Sequence, residues 1–201
     1  MIKKISRKQF LSDFPEFPQT NYWGDELTHP EVYDNYIITL QSKSAKGHAK
    51  LLGIELTKLI TSFKTEALLF LGETKTPWLY QSNDYKPVKE SLEYLSANKV
   101  SKSFNGALKV DLNDLPEFMK HFFWLVRCNA SLPYFNFSDV GFNIVGSICQ
   151  YGNLHLSILN EETDKVFENA ILHTKFEMLD GNNCYEPFSK SGAISNRQIV
   201  V

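Results

Sequence analysis

A cysteine and a histidine lie six positions apart in the stretch SICQYGNLHL, which runs from residue 147 to residue 156. A thiol beside an imidazole can act as an activated nucleophile, because the imidazole accepts the thiol proton. Whether Cys149 and His155 meet depends on the hairpin turn between them. We expect a two-residue turn centred on Gly152 and Asn153. That register pairs Cys149 with Leu156, so Cys149 and His155 point to opposite faces of the sheet.

A three-residue loop over 151–153 is the alternative connection. It pairs Gln150 with Leu154 and places Cys149 and His155 on one face of the hairpin. This register divides the apolar residues poorly between the two faces, so the sequence favours the two-residue turn. It therefore predicts a buried Cys149 and a half-exposed His155, with no contact between them.

The rest of the sequence lacks the compact motifs of common catalytic and cofactor sites. Its five histidines form neither an HExxH nor a His-x₃-His pattern, and no P-loop, GxGxxG or GxSxG occurs. The sequence therefore predicts no catalytic residue, no metal site and no cofactor. An enzyme whose site is assembled from distant residues around His155 remains an alternative. The first candidates for that site are His155, Gln150, Cys128, His121 and Asp111.

One predicted helix, beginning at Asp114, carries a tryptophan on its charged face. On a helical wheel Trp124 lies outside the apolar arc, where its neighbours are Lys120, Arg127, Glu117 and Cys128. Tryptophan and arginine are enriched at binding hot spots, although such a tryptophan can equally lie beneath another element. We interpret Trp124, Arg127 and Lys120 as candidate binding residues.

A second candidate surface is the stretch YWGDE at residues 22–26, which combines large aromatic and acidic side chains. Loops that carry such aromatics often bind a partner, and they can also insert the rings into the core. The candidate binding residues of this loop are Tyr22, Trp23, Asp25 and Glu26. Gln150 and His155, on the predicted outer face of the hairpin, complete the binding set.

Charge is segregated along the chain. Residues 9–42 contain six acids and no Lys or Arg, residues 43–64 contain five lysines and one Glu, and residues 161–186 contain seven acids and two lysines. The basic stripe either faces an acidic segment of the same fold or is solvated. The functional interpretation of this charge pattern is that the acidic segments form a surface that attracts a basic partner. Complementary charge speeds the encounter of two proteins and contributes to their specificity.

The amino-acid composition restricts the classes of protein to which the chain can belong. The chain has 201 residues, of which 43% are hydrophobic and 13% aromatic, so one domain can bury a sizeable core without disulfides. A net charge of −2 argues against a nucleic-acid-binding protein. No signal peptide or membrane-spanning apolar run is recognisable. Cys128, Cys149 and Cys184 are an odd number without CxxC spacing, which predicts free thiols in the cytoplasm.

Hydrophobic periodicity gives the expected order of elements. It predicts helices over 6–14, 28–40, 43–63, 86–98 and 114–128, and strands over 66–72, 76–81, 106–112 and 134–137. Residues 142–151 and 154–160 should form an antiparallel hairpin, while 161–175 fit a helix and a strand equally.

The predicted fold class is α+β, with a mixed or mainly antiparallel sheet and several packed helices in a single compact domain over 1–201. A helical part covers about 1–64 and a mixed α/β part about 65–201. The alternation of strands and helices from 66 to 137 also permits a parallel crossover.

Taken together, these observations favour a non-enzymatic cytosolic protein that binds another protein. An inhibitor or immunity-type protein acting on a basic partner fits this profile. The enzyme around His155 is the first alternative. A homodimeric structural protein, built through exposed aromatics, is the second.

Overall fold

Ten strands and five helices make up the described part of the chain in the computed structural model. The structure describes residues 2–21, 25–80, 83–129, 132, 134–180, 184–186, 188 and 194. The helices are α1 (Arg7–Asp13), α2 (Ala45–Thr61), α3 (Lys86–Ala97), α4 (Leu115–Cys128) and α5 (Glu161–Ile171). The strands are β1 (Ile2–Ile5), β2 (Gln19–Thr20), β3 (Glu26–Thr28), β4 (Asp34–Leu40), β5 (Ala67–Gly72), β6 (Ala107–Asp111), β7 (Phe135–Asp139), β8 (Ile144–Ile148), β9 (Leu154–Ile158) and β10 (Phe176–Met178).

Eight strands form one sheet in the order β1-β6-β5-β7-β8-β9-β4-β10, and β2 and β3 form a separate pair. Every described pairing is antiparallel, which confirms the α+β class with a mainly antiparallel sheet. The parallel crossover that the sequence permitted between 66 and 137 is wrong. The connections through α3 and α4 are long enough for either strand direction, so their length alone does not decide between them.

The helices α2, α3, α4 and α5 pack on one face of this sheet and enclose the main core. Aromatic rings fill its centre: the Phe70 ring of β5 lies 4.7 Å from that of Phe118 and 5.5 Å from that of Phe137. The helices α2 and α4 approach closely at Gly53, where an added Cβ would lie 2.4 Å from the carbonyl oxygen of Pro116. A residue without a Cβ is therefore required at this crossing.

The opposite face is only partly covered. Helix α1 places Phe10 over Leu69, Leu71 and Ala107, together with Phe17, in a second and smaller core. Strand pairing extends a row across this face, and the row consists of Leu71, Asn136, Ser147, His155 and Ile37. The middle of the sheet therefore carries polar side chains on the part of this face that lies beyond α1.

Residues 28–40 are the largest error of the sequence prediction. Thr28 ends β3, residues 29–33 form neither helix nor strand, and residues 34–40 are β4, which lies between β9 and β10. Ile38 and Leu40 of β4 are fully buried, and the Tyr36 ring packs against the Phe167 ring of α5 with centroids 4.4 Å apart. A helix was expected because Thr28, followed three residues later by Glu31, forms a capping-box pattern. The segment is also rich in β-branched and aromatic residues, and their packing in a sheet outweighs that pattern. Residues 1–64 thus supply β1 and β4 to the main sheet as well as two helices.

A second error concerns residues 76–81, whose described part forms turns and no strand. Trp78 is buried there, donates its indole N–H to the Gly106 carbonyl at 2.9 Å and packs on Phe135 at 4.0 Å. The other predicted helices and strands are confirmed within a few residues of their expected bounds. The ambiguous segment 161–175 is helix α5, capped by Asn160, and a strand follows from Phe176. None of the described helices is long and apolar enough to cross a membrane.

Candidate metal centre

The hairpin of β8 and β9 has a different register from the one that the sequence favoured. Ile148 pairs with Leu154 and Ser147 with His155, so residues 149–153 form a five-residue connection. The connection is closed by a bond of 2.9 Å from the Gly152 N–H to the Cys149 carbonyl. The two-residue turn is therefore wrong. Because side chains alternate along β8, Cys149 follows Ser147 onto the face of His155.

Contacts with the helical layer explain this register. The carbonyl of Gly152 accepts a hydrogen bond of 3.0 Å from Nε2 of His48, a fully buried residue of α2. Gly152 has φ +88°, and an added Cβ would lie 2.5 Å from His48 Nε2 and 2.8 Å from Phe123 Cε2. The loop is thus fitted against side chains from α2 and α4, far away in sequence, which no hairpin rule includes.

A C-terminal segment, defined here as Cys184–Glu186 together with Phe188, crosses this loop. Arg127 of α4 forms a buried ion pair with Glu186 and donates to the Gln150 carbonyl at 3.2 Å. The Phe188 ring lies 4.8 Å from the Arg127 guanidinium. Asn153 Nδ2 donates to the carbonyl of residue 185 at 3.0 Å. These contacts bring Cys184 over the hairpin.

Three metal-ligating side chains meet at this point. The Cys184 Sγ lies 3.0 Å from the His155 Nε2, and the donor atoms of Cys149, His155 and Cys184 all lie within 4.8 Å of one another. All three residues are half-buried and both thiols are free. Burial and the neighbouring Cys184 thiol raise the pKa of Cys149 to about 11, while burial lowers the pKa of His155. Both shifts favour the neutral form of the group, the thiol at Cys149 and the imidazole at His155.

A cavity of about 410 Å³ opens beside the cluster. Its walls come from the end of α4, the start of β7, the β8–β9 connection and Cys184. Apolar side chains such as Val126, Phe135 and Ile148 line it together with the amides of Asn129 and Gln150. The volume falls within the range of small-molecule sites, roughly 300–1,000 Å³.

No protein family, no curated protein and no solved structure matches this chain.

The predicted binding residues are spread over several regions. Gln150 and His155 line the cavity. Trp124 is half-buried against Tyr85 and Phe123, with ring centroids 6.0 and 5.2 Å away, so α3 covers part of its ring. Arg127 is buried in its ion pair and contributes to the structure of the C-terminal segment.

Lys120 pairs with Glu117 on the same helix at 2.7 Å. Asp25 and Glu26 are exposed, whereas Tyr22 and Trp23 lie outside the described residues.

The distant residues proposed for an assembled active site do not all converge. Cys128 is buried in the main core, and Asp111 ends β6 beside Ala67. His121 contacts Ser91 Oγ at 3.2 Å and Glu117 at 3.0 Å, an arrangement that resembles a catalytic triad. The Ser91 hydroxyl, however, is fully buried and donates to the Pro87 carbonyl one helical turn earlier, so it cannot attack a substrate.

Sequence reasoning missed Cys184 as a member of the site. It follows 29 positions after His155, in a segment rich in Gly, Asn and Ser that predicts no regular structure. Asn129 was missed as well, since an asparagine at a helix end is ordinarily a cap. The one available signal was the presence of Cys149 and His155 on one hairpin, and that signal depended on the register.

Proposed function

We propose that this protein binds a zinc ion through Cys149, His155 and Cys184 and presents the ion's fourth coordination position to the adjoining cavity. The observation that carries this proposal is the convergence of the three donor atoms within 4.8 Å. Zinc bonds of about 2.3 Å to sulfur and 2.0–2.1 Å to nitrogen, at tetrahedral angles, place donor atoms roughly 3.5–3.8 Å apart. Small side-chain rotations bring the three donors to that spacing.

The chemical nature of the donors selects the metal. Two thiolates and one imidazole form a soft to borderline set that suits zinc, whereas calcium and magnesium require oxygen ligands. No further His, Cys, Asp or Glu joins the cluster among the residues that the structure describes. Three protein ligands with one open position are the arrangement of zinc sites that bind or activate a ligand, while structural sites are closed by a fourth residue.

Two other uses of the same residues fit less well. A Cys184–His155 catalytic dyad requires a third group that orients the imidazole and donors that stabilise an oxyanion. Among the described residues, the only side chain within hydrogen-bonding distance of the His155 ring is Cys184. A disulfide between Cys149 and Cys184 would leave His155 without a role in the cluster.

Zinc stoichiometry on the reduced full-length chain tests the proposal. Purified protein is stripped with chelator, reloaded and analysed by elemental analysis, and cobalt substitution gives the sulfur-to-cobalt charge-transfer band of a thiolate site. We expect one equivalent of zinc for the wild type and a large loss in Cys149→Ser, Cys184→Ser and His155→Gln. Cys128→Ala is the matched control, because Cys128 lies in the main core and outside the cluster.

Zinc that binds equally well to all three variants, or a reduced wild type that binds none, would show the proposal to be wrong. A wild type that holds copper(I) in preference to zinc would retain the site and correct the metal.

A second candidate function is the binding of a basic protein partner, which the charge pattern of the sequence first indicated. We propose the surface around Leu27 and Tyr80, which are 63% and 66% exposed and both line a groove of about 800 Å³. The exposed carboxylates of Asp25 and Glu26 adjoin Leu27 in sequence. The groove itself is lined by Arg7, Lys75 and Glu73, so the attraction for a cationic protein rests on Asp25 and Glu26 beside the exposed Leu27.

Capture of a basic protein from lysate by the immobilised chain tests this second function. Leu27→Ser removes the apolar contact without a change of charge and should weaken capture strongly, and raised salt should weaken it further, because part of the attraction is electrostatic. Leu172→Ser is the matched control, since Leu172 is 77% exposed at the end of α5. Equal capture by both variants would exclude this surface.

A further inference from the structure

Asn129 places a buried side-chain amide at the wall of the cavity. It is 3% exposed, lines the cavity, and its Oδ1 accepts no hydrogen bond in the described structure. A buried amide oxygen without a donor costs free energy, so such groups are ordinarily paired. A ligand that carries an N–H or O–H donor would satisfy this atom.

The charge of the site restricts the ligand further. None of the described residues that line the cavity is Lys, Arg, Asp or Glu. A zinc ion with two thiolates and a neutral imidazole is formally uncharged. A carboxylate or phosphate would therefore enter without a compensating cation, at the cost of its hydration. The cavity is suited to a neutral molecule.

We infer that the cavity binds a small, largely apolar primary or secondary amide, with its carbonyl oxygen at the open position of the metal and its N–H on Asn129 Oδ1. This inference rests on the proposed zinc site. An amide combines an uncharged metal ligand with a hydrogen-bond donor one atom away. The apolar wall of Val126, Phe135 and Ile148 accepts its hydrocarbon part. No carboxylate among the described lining residues offers a general base, so the inference concerns binding and includes no hydrolysis.

Three matched probes test the inference on the zinc-loaded wild type by calorimetry. Benzamide has the carbonyl and the N–H, N,N-dimethylbenzamide lacks the N–H, and benzoate carries a charge. We expect benzamide to bind at least about tenfold more tightly than either, because the other two leave Asn129 Oδ1 unpaired. Removal of zinc should weaken benzamide by a similar factor.

Substitutions of Asn129 test whether this residue accepts the N–H of the amide. Asn129→Leu should reduce benzamide affinity to that of N,N-dimethylbenzamide, whereas Asn129→Asp keeps an acceptor oxygen and should still prefer benzamide over benzoate.

Zinc content is measured on each sample, which separates the two proposals. Full zinc content with equal affinities for the three probes would overturn the amide inference alone. Absence of zinc from the wild type would overturn the proposed function and, with it, the metal contact of the amide. Because Asn129 ends α4, the comparison of probes on the wild type decides the matter if the leucine variant does not fold.

Discussion

Neutralising Glu186 tests whether one buried ion pair holds the C-terminal segment, and Cys184 with it, against the hairpin. The side chains of Arg127 and Glu186 are only 6% and 1% exposed. Removing one partner of such a pair leaves an uncompensated charge in the interior, which costs about 3–5 kcal/mol. The perturbation is therefore far larger than for a surface salt bridge, which contributes about 0–1 kcal/mol.

The two single substitutions should differ within that range. In Glu186→Gln the arginine keeps the Gln150 carbonyl and the Phe188 ring, so we expect a loss of about 3 kcal/mol. In Arg127→Met the carboxylate of Glu186 remains, and its Oε2 already lacks a hydrogen-bond partner in the described structure. We expect this variant to lose about 5 kcal/mol.

A double variant supplies the control. Replacing a buried ion pair by apolar side chains of similar size is often neutral or stabilising, so Arg127→Met/Glu186→Leu should be more stable than Arg127→Met or Glu186→Leu alone, the two single variants that complete the double-mutant cycle. Urea unfolding of the reduced, metal-free protein, followed by tryptophan fluorescence, gives the free energies of unfolding. The resulting coupling energy should be at least about 3 kcal/mol.

Additive single effects, or a Glu186→Gln loss below about 0.5 kcal/mol, would refute this reasoning. The C-terminal segment would then detach at little cost and expose Arg127 to water. Zinc affinity measured on the same variants connects the segment to the site. If Glu186 positions Cys184, Glu186→Gln should weaken zinc binding although it removes no ligand.

Two further predictions concern the helical layer. Gly53→Ala should destabilise the fold by about 1–3 kcal/mol despite the better helix propensity of alanine, because its Cβ would meet the Pro116 backbone. Gly47→Ala should change the free energy of unfolding by less than about 1 kcal/mol, because its Cβ would meet only the Ser44 Oγ, at 3.2 Å, the atom that caps the Gly47 N–H. Equal effects in urea unfolding would show that the α2–α4 crossing does not require glycine. Burial lowers the pKa of His48 below its ordinary value of 6.5, so the unfolded chain binds the proton more readily than the folded one. The free energy of unfolding should therefore fall as the pH falls below about 6.5, by up to about 1.4 kcal/mol per pH unit from this residue, and His48→Gln should flatten the profile measured between pH 7.5 and 5.5. An unchanged slope in that variant would contradict the assignment.

Local sequence patterns were sufficient for most elements of the fold. The apolar stripe of α2, the amphipathic α4 and the apolar run of β5 each reflect burial against a neighbour, and burial imposes a period that is visible in one segment alone. The prediction of a helix over residues 28–40 was wrong because the sequence there carries two conflicting signals. The capping pattern and the near-helical spacing of apolar residues favour a helix, whereas the β-branched and aromatic side chains favour a strand. Pairing with β9 and β10 stabilises the strand.

The candidate site was predictable only in part. His155 and Gln150 were singled out from the sequence, and both line the cavity. Cys149 was assigned to the wrong face, because the hairpin rule considered only the turn residues. In the structure the loop is fitted to His48 and Phe123, and a shift of register by an odd number of residues transfers every side chain to the other face.

Local patterns were thus enough for the α+β class and for most helices and strands. The strand directions, the hairpin register and the meeting of Cys149 and His155 with Cys184 depend instead on contacts between distant segments. The difference lies in the range of the interactions involved. Periodicity records each segment's own burial, whereas the cluster depends on a buried Arg127–Glu186 pair that joins α4 to a segment 59 residues away. No local pattern contains that contact.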